Sequence, residues 1–196
     1  MKILGIDLAG SEKRKTGICI LNKKLKADCF CLFKDKEILD LIEREKPDLI
    51  AIDSPLSLPE GRKSLKRKSK IHFRKCDKEL WQFKIKFFPI TLGPMRRLTE
   101  RGIRLRKILE KKYKVIEVYP GATQDILKIP RKQKGLRKLK KGLENLGIKI
   151  FKKDPNGDEL DAITAAFTGF LYLKGKYLAI GDEKEGQIIL PKWKIS

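Results

Sequence analysis

Histidine is almost missing from this chain: His72 is the only one among 196 residues. That scarcity argues against a histidine-based nuclease, and the lack of a G-x-S-x-G elbow removes Ser/His/Asp nucleophilic catalysis. Cysteine is sparse too. Cys19, Cys29, Cys31 and Cys76 form no C-x-x-C pair, so a structural zinc site has no ligand set to draw on. Cys29 and Cys31 are two apart on an expected strand and share a face, which makes them reduced core positions. No apolar run approaches the roughly eighteen residues of a membrane span, and no signal-peptide pattern precedes the first strand. Met1 leading straight into that strand sets the expectation of a complete cytoplasmic protein with no membrane partner. Acid is scarce relative to base, with 47 Lys+Arg against 25 Asp+Glu and a formal charge of +22. The dense Lys/Glu surfaces of thermophiles would bring the two signs near balance. The excess therefore points to a polyanion, and nucleic acid is the expected partner.

What is present reads as a single α/β domain over 1–196. Residues 2–7, 16–22 and 26–33 are three short apolar strands joined by brief polar links, which favours antiparallel pairing. Asp35 is placed to cap a helix running to about Lys46, with Ile38, Leu39, Leu41 and Ile42 on its apolar side. Pro47 ends it, and residues 48–53 form a strand apolar on both faces. This strand–helix–strand passage implies a parallel crossover. Residues 56–97 break the pattern and are expected to form a basic insertion over the site. A helix from about Leu98 to Lys112 and a strand from Lys114 to Val118 follow, closed by Tyr119-Pro120-Gly121. A basic helix is expected over 132–147, and a long apolar helix over 158–173. Strands around 177–180 and 187–190 would finish the chain as a hairpin.

The candidate site is acidic. Asp7 and Asp53 each end an apolar strand, at the carboxyl edge where open α/β sheets bind ligands. Neighbouring strands would bring the two carboxylates within roughly 5 Å, where like charges shift each other's pKa unless a cation is present. Read alone, either is a turn or cap aspartate. Asp158 and Asp161 are three apart, on one face of a helix near its positive end. Asp158 reads equally well as a first-turn charge, whereas Asp161 falls where the apolar run begins. Glu117 interrupts an apolar strand and is either a site residue or an outward edge charge. Mg²⁺ or Mn²⁺ takes hard oxygen ligands, and a two-ion site about 4 Å across needs several carboxylates together.

Around these acids the expected phosphate contacts are Arg62, Lys63, Lys66, Arg67, Lys68, Arg74 and Lys75 in the insertion, with Arg96, Arg97, Arg131 and Lys132 beyond it. Between residues 56 and 76 the only acid is Glu60. Phe73, Trp81, Phe83, Phe87 and Phe88 are interleaved, and Trp81 or Phe83 is suited to stacking on unpaired bases.

Taken in order, several segments resemble the ribonuclease H-like superfamily and, more narrowly, the DUF429 family of predicted nucleases. They are Gly5-Ile6-Asp7-Leu8-Ala9-Gly10, Ala51-Ile52-Asp53-Ser54-Pro55-Leu56, Arg74-Lys75-Cys76-Asp77 and Leu98-Thr99-Glu100-Arg101-Gly102. Glu117-Val118-Tyr119-Pro120-Gly121, Asp158-Glu159-Leu160-Asp161-Ala162 and Gln187-Ile188-Ile189-Leu190-Pro191 complete the series. The resemblance implies a ribonuclease H-like fold: a mixed five-stranded sheet in order 3-2-1-4-5 with helices on both faces, here with the basic insertion and a C-terminal hairpin added. It implies a nuclease that hydrolyses phosphodiester bonds with Mg²⁺ or Mn²⁺. Asp7, Asp53, Asp158 and Asp161 match the carboxylates of resolvase-like members. Classical ribonuclease H enzymes carry their second carboxylate as a helical glutamate, and Asp53 on a strand end points instead to the resolvase branch. Resolvases act as dimers, so a homodimer is one expectation. Glu117, Arg74 and Asp77 match motifs of the narrower family whose roles the resemblance leaves open. Two other functions fit parts of the pattern. One is a non-catalytic nucleic-acid binder of the same fold. The other is a nucleotide-binding phosphotransferase-like protein, although Asp7-Leu8-Ala9-Gly10-Ser11 has alanine where a phosphate turn wants glycine, and 196 residues leave no second lobe.

Overall fold

Period-two alternation in the first strand sets the layout. The computed structural model describes residues 1–192, so the last four residues of the expected 1–196 domain lie outside the described residues. Along β1 (Lys2–Asp7), Ile3 joins one apolar core while Leu4 and Ile6 join another. Two further strands, β2 (Thr16–Asn22) and β3 (Lys26–Leu32), pair antiparallel in sequence. Helix α1 (Asp35–Glu45) then crosses back to β4 (Leu49–Asp53), which lies parallel to β1. Asp35 is the first helical residue rather than the cap. Lys34 occupies the cap position, and the Glu37 carboxylate accepts its N–H at 2.9 Å.

Between β4 and the next long helix the chain forms only α2 (Lys75–Gln82). Helix α3 runs Gly93–Leu109, five residues earlier than the apolar pattern suggests, because Pro94 fits a first turn where no N–H is needed. Residues 93–97 of the expected insertion therefore belong to α3. After β5 (Val115–Val118), Tyr119-Pro120-Gly121 does not close a strand but opens α4 (Pro120–Ile126), again with proline in the first turn. The expected 132–147 helix is split. A 3-10 turn at Lys132–Lys134 precedes Gly135, whose φ of 118° admits glycine readily, and α5 is Leu136–Asn145. A two-residue strand β6 (Lys149–Ile150) leads to the central helix α6 (Gly157–Leu173), and β7 (Tyr177–Asp182) and β8 (Gly186–Pro191) form the hairpin.

Among the described residues the sheet has eight strands, in order β6-β3-β2-β1-β4-β5-β8-β7. Its centre keeps the expected 3-2-1-4-5 order. The expected count of five is corrected at both ends: β6 adds beside β3, and β8 adds parallel to β5, carrying the hairpin into the sheet. An uncovered edge on β5 would leave a row of unpaired backbone groups, which β8 satisfies. Helix α6 packs with Ile3, Cys19, Leu49 and Ala51 on one face, while α1 and α3 cover Leu4, Ile6, Ile18, Ile50 and Ile52 on the other. Each leucine or isoleucine among them taken from water contributes about 1.5–3 kcal/mol. A third cluster fixes Cys76 and Leu80 of α2 against Ile180, Ile188 and Leu190, so α2 sits on the hairpin. All four cysteines are free, with Cys19 and Cys29 facing each other in register and buried. Among the described residues no helix is long and apolar enough to cross a membrane.

Candidate functional site

Asp7 and Asp53 are register partners at the ends of parallel β1 and β4. Both continue the alternation that faces α6. Two glycines let that helix come close. A methyl group at Gly5 would collide with the backbone of Ala162 and Ala166, and one at Gly17 with the carbonyl of Asp158. The start of α6 is fixed by a reciprocal cap: Asn156 Oδ1 accepts the Glu159 N–H, and the Glu159 carboxylate accepts the Asn156 N–H, both at 2.9 Å. Asp158 thus stands in the first turn of α6 and Asp161 directly after it, over the strand ends. Asp161 is 7% exposed, and Gln124 Nε2 donates to its Oδ1 at 2.8 Å. The same Gln124 group reaches Thr164 Oγ1 at 3.2 Å, which tethers α4 to α6.

A cation already stands among these acids. Lys132 Nζ lies 2.8 Å from Asp161 Oδ2, 3.5 Å from Asp158 Oδ1 and 3.8 Å from Asp7 Oδ2. Burial pushes the Asp7 carboxyl up to about 8, Asp161 adds to the rise, and Lys132 opposes it. Burial likewise lifts Asp53 well above the ordinary carboxylate range, reinforced by Asp7 and Asp161. For Lys132 burial works against the charge, but Asp161 and Asp7 outweigh it and hold its pKa above the usual lysine value. Among the described residues no three His, Cys, Asp or Glu side chains are grouped closely enough to hold a metal ion. The donor chemistry nonetheless suits a hard cation: desolvated carboxylate oxygens from β1 and α6 gather round a positive charge, here an ammonium.

Glu117 is out of phase with this cluster. Its register partner is Ile52, on the α1/α3 face, whereas Asp53 pairs with Val118. It is not an edge charge either, since β8 covers β5. Glu117 is buried, accepting the Leu56 N–H at 2.8 Å and both terminal nitrogens of Arg74 at 2.7 and 2.8 Å. Arg74, expected among the phosphate contacts, is 1% exposed. Its remaining donors go to Asp77 Oδ1 and Oδ2 and to Ser57 Oγ. Arginine has five N–H donors, and here all are engaged, so none is left for a phosphate.

The family model described as "Protein of unknown function (DUF429)" matches residues 5–186. The chain belongs to the DUF429 family. No curated protein matches the sequence. Among solved structures, this DUF429 chain is similar to Thermus thermophilus RuvC in complex with a Holliday junction substrate, at 14% identity and a TM-score of 0.50, covering 89% of this chain and 96% of that one. A second T. thermophilus RuvC structure matches at 12% identity and a TM-score of 0.50, covering 89% and 97%. At these identities the likeness establishes the ribonuclease H-like fold.

Beside the acids of this DUF429 protein lies an open cleft of about 360 Å³, lined by Asp7, Gly10, Arg14, Lys15, Arg97 and Lys132 among others. Arg14 and Lys15 were not singled out in the sequence, although they sit in the loop that follows Asp7. Buried Arg101 fixes that loop by donating to the Ala9 carbonyl at 2.7 Å and to Asp35 Oδ1 at 2.7 Å. Of the other expected phosphate contacts, Lys63, Lys66, Arg67 and Lys68 are exposed on the insertion, and Arg96 is exposed on α3. Arg62 folds its own loop, donating to the carbonyls of Ser64, Arg67 and Ile71. Lys75 pairs with Asp182 at 3.0 Å, and Arg131 pairs with Asp125 and lies over the Tyr119 ring.

Proposed function

We propose that this protein is a metal-dependent nuclease that hydrolyses phosphodiester bonds of DNA or RNA with Mg²⁺ or Mn²⁺. The observation that carries the reading is the convergence of Asp7, Asp158 and Asp161 on one positive charge, with Asp53 in register beside Asp7. Asp7, Asp53 and Asp161 would hold the cation, with Asp158 as a further ligand. When bound, a divalent ion activates water and stabilises the charge that develops on the leaving oxygen. The chain's own residues do the rest. Arg14, Lys15 and Arg97 draw a phosphate backbone into the cleft beside Asp7. Gln124 fixes one oxygen of Asp161 so that the other points towards Lys132. The RuvC likeness supports the reading through its fold, and the RuvC structure holding a Holliday junction makes a branched duplex a substrate worth including.

Purified protein is incubated with duplex, single-stranded, hybrid and junction substrates in Mg²⁺, Mn²⁺ or EDTA. Cleavage is expected with either metal and to be abolished by Asp7→Asn. Equal cleavage by Asp7→Asn, in preparations free of contaminating nuclease, refutes this mechanism. Lys132 favours one second reading, a nucleic-acid binder without turnover, because its ammonium already compensates the acids. That reading expects no change in melting temperature on Mn²⁺ addition.

A further inference from the structure

A second cleft opens on the other side of the acid pair, and its chemistry differs from the first. It holds about 180 Å³ and is bounded by Asp53, Phe87, Phe88, Met95, Leu98 and Tyr119. Phe88 is 67% exposed at the mouth. Phe87 is backed by Phe73, edge-on at 6.1 Å between ring centroids, and by Trp81 at 5.3 Å. The Tyr119 hydroxyl is tied down, donating to the Lys86 carbonyl at 2.6 Å, so the tyrosine offers its ring rather than its polar end. The ion pair of Arg74 with Glu117 and Asp77 also borders the cleft, with every Arg74 N–H already engaged. The rest of the lining is mostly apolar and includes three aromatic rings, and the volume is below the roughly 300–1,000 Å³ of sites for drug-sized ligands. One flat ring system fits; a helix or a stretch of duplex does not.

The position of this cleft selects its occupant. Asp53 borders it, while its register partner Asp7 borders the basic cleft, and Met95 and Leu98 of α3 border both. Because the two clefts share Met95 and Leu98 and meet at the Asp7–Asp53 pair, a nucleotide chain laid along Arg14, Lys15 and Arg97 with a phosphate at the acids would bring a neighbouring base towards the aromatic cleft. We propose that this cleft receives one unpaired nucleobase next to the phosphate held at the acids, so that the substrate class is nucleic acid carrying an unstacked nucleotide. The proposal rests on the nuclease reading for the place of that phosphate. A base inside a continuous duplex cannot reach the cleft without being unstacked, which costs a few kcal/mol and least where the base is already unpaired. Recognition here is by ring stacking, which tolerates any base. An apolar peptide side chain could fill the space, but it makes no use of the cations next door.

The test is equilibrium binding by fluorescence anisotropy in EDTA, using three labelled DNA duplexes: fully paired, with a one-nucleotide bulge, and with an abasic bulge at the same place. The base-bearing bulge is expected to bind about 5- to 150-fold more tightly than the other two, the range that stacking of one base supplies. Phe88→Ala should remove most of that preference and leave affinity for the paired duplex unchanged. Phe151→Ala, an equally exposed phenylalanine beyond β6 (72% exposed), should keep the preference. Equal affinity for base-bearing and abasic bulges overturns the proposal, as does a full preference in Phe88→Ala. Because binding is read without turnover, the nuclease reading fails on its own evidence: no Mn²⁺-dependent cleavage of any substrate, whatever the bulge preference.

Discussion

Replacing Lys132 with methionine keeps the length of the side chain and removes the ammonium that Asp161, Asp158 and Asp7 share at 2.8, 3.5 and 3.8 Å. Breaking a fully buried ion pair costs about 3–5 kcal/mol. Lys132 is 34% exposed, however, so water screens part of the interaction. An expected loss of about 1–3 kcal/mol follows. For a chain of this size that lowers the melting temperature by roughly 2–10 °C. The pH matters. Burial holds the Asp7 carboxyl up at about 8, so at pH 6 it carries its proton and has no charge to lose with the ammonium, whereas at pH 8.5 it is ionised and its share of the effect is seen. Scanning calorimetry in EDTA at both pH values measures this directly. A second arm asks what replaces the ammonium. Mn²⁺ at 100 times its dissociation constant stabilises a folded protein by about 2.7 kcal/mol. In the wild type it must first displace Lys132, so the gain on adding Mn²⁺ is expected to be larger in the variant. A variant that melts with the wild type in EDTA at pH 8.5, or that gains no more from Mn²⁺, refutes the view that Lys132 occupies a cation's place.

Two further outcomes follow from the same structure. Arg74→Met leaves Glu117 and Asp77 buried without their partner and should cost about 3–5 kcal/mol in denaturant unfolding, while the salt dependence of nucleic-acid binding stays as it was; a slope reduced by about 0.9 at unchanged stability would instead make Arg74 a phosphate ligand. The Asp7 carboxyl, raised by burial and Asp161 to about 8 from an ordinary 3.8, favours the fold when protonated. Its contribution is therefore fully present below about pH 4 and is lost as pH rises through 8. In EDTA the stability of the wild type relative to Asp7→Asn should fall across that window, and a difference that stays flat from pH 4 to 8 would contradict the burial argument.

The central sheet was legible because its strands carry local, repeating signals. Ile3, Leu4, Ile6 and the run Leu49–Ile52 are apolar at consecutive positions that one helix layer cannot bury, and β4 indeed has cores on both faces. Asp7 and Asp53 were legible for the same reason, each a carboxylate breaking such a run at its end. The rest depends on contacts far apart in sequence. β6 is two residues long, too short for any period, and exists because β3 offers it an edge. Arg74 sits in a stretch dense with solvated cations and looks like one of them; only Glu117, 43 residues away, marks it as buried. Glu117 itself could be assigned a face only from its register with Ile52, which no local pattern records. Lys132 was read as a phosphate contact from its basic neighbours. Its place among the acids is set by the 3-10 turn ahead of Gly135 and by how closely α6 approaches through Gly5 and Gly17.

These placements also account for how acids persist in so basic a chain. Two carboxylates at a desolvated strand edge and two more at the start of α6 repel one another, and a polyanion brought alongside them adds to the repulsion. Positive charge must enter from somewhere. Without metal, the structure supplies it twice over: as the Lys132 ammonium, and as a proton, since Asp7 with a pKa near 8 holds its proton at neutral pH. A divalent cation entering the cluster must displace both, so its binding releases protons and strengthens as pH rises. The proposed nuclease and the alternative binder thus correspond to two charge states of one site, separated by whether Mg²⁺ or Mn²⁺ wins against lysine and proton. Metal binding followed by calorimetry in two buffers of different ionisation enthalpy measures the protons released, and at least about one proton at pH 7 is what competition with Asp7, and with the raised Asp53 beside it, requires.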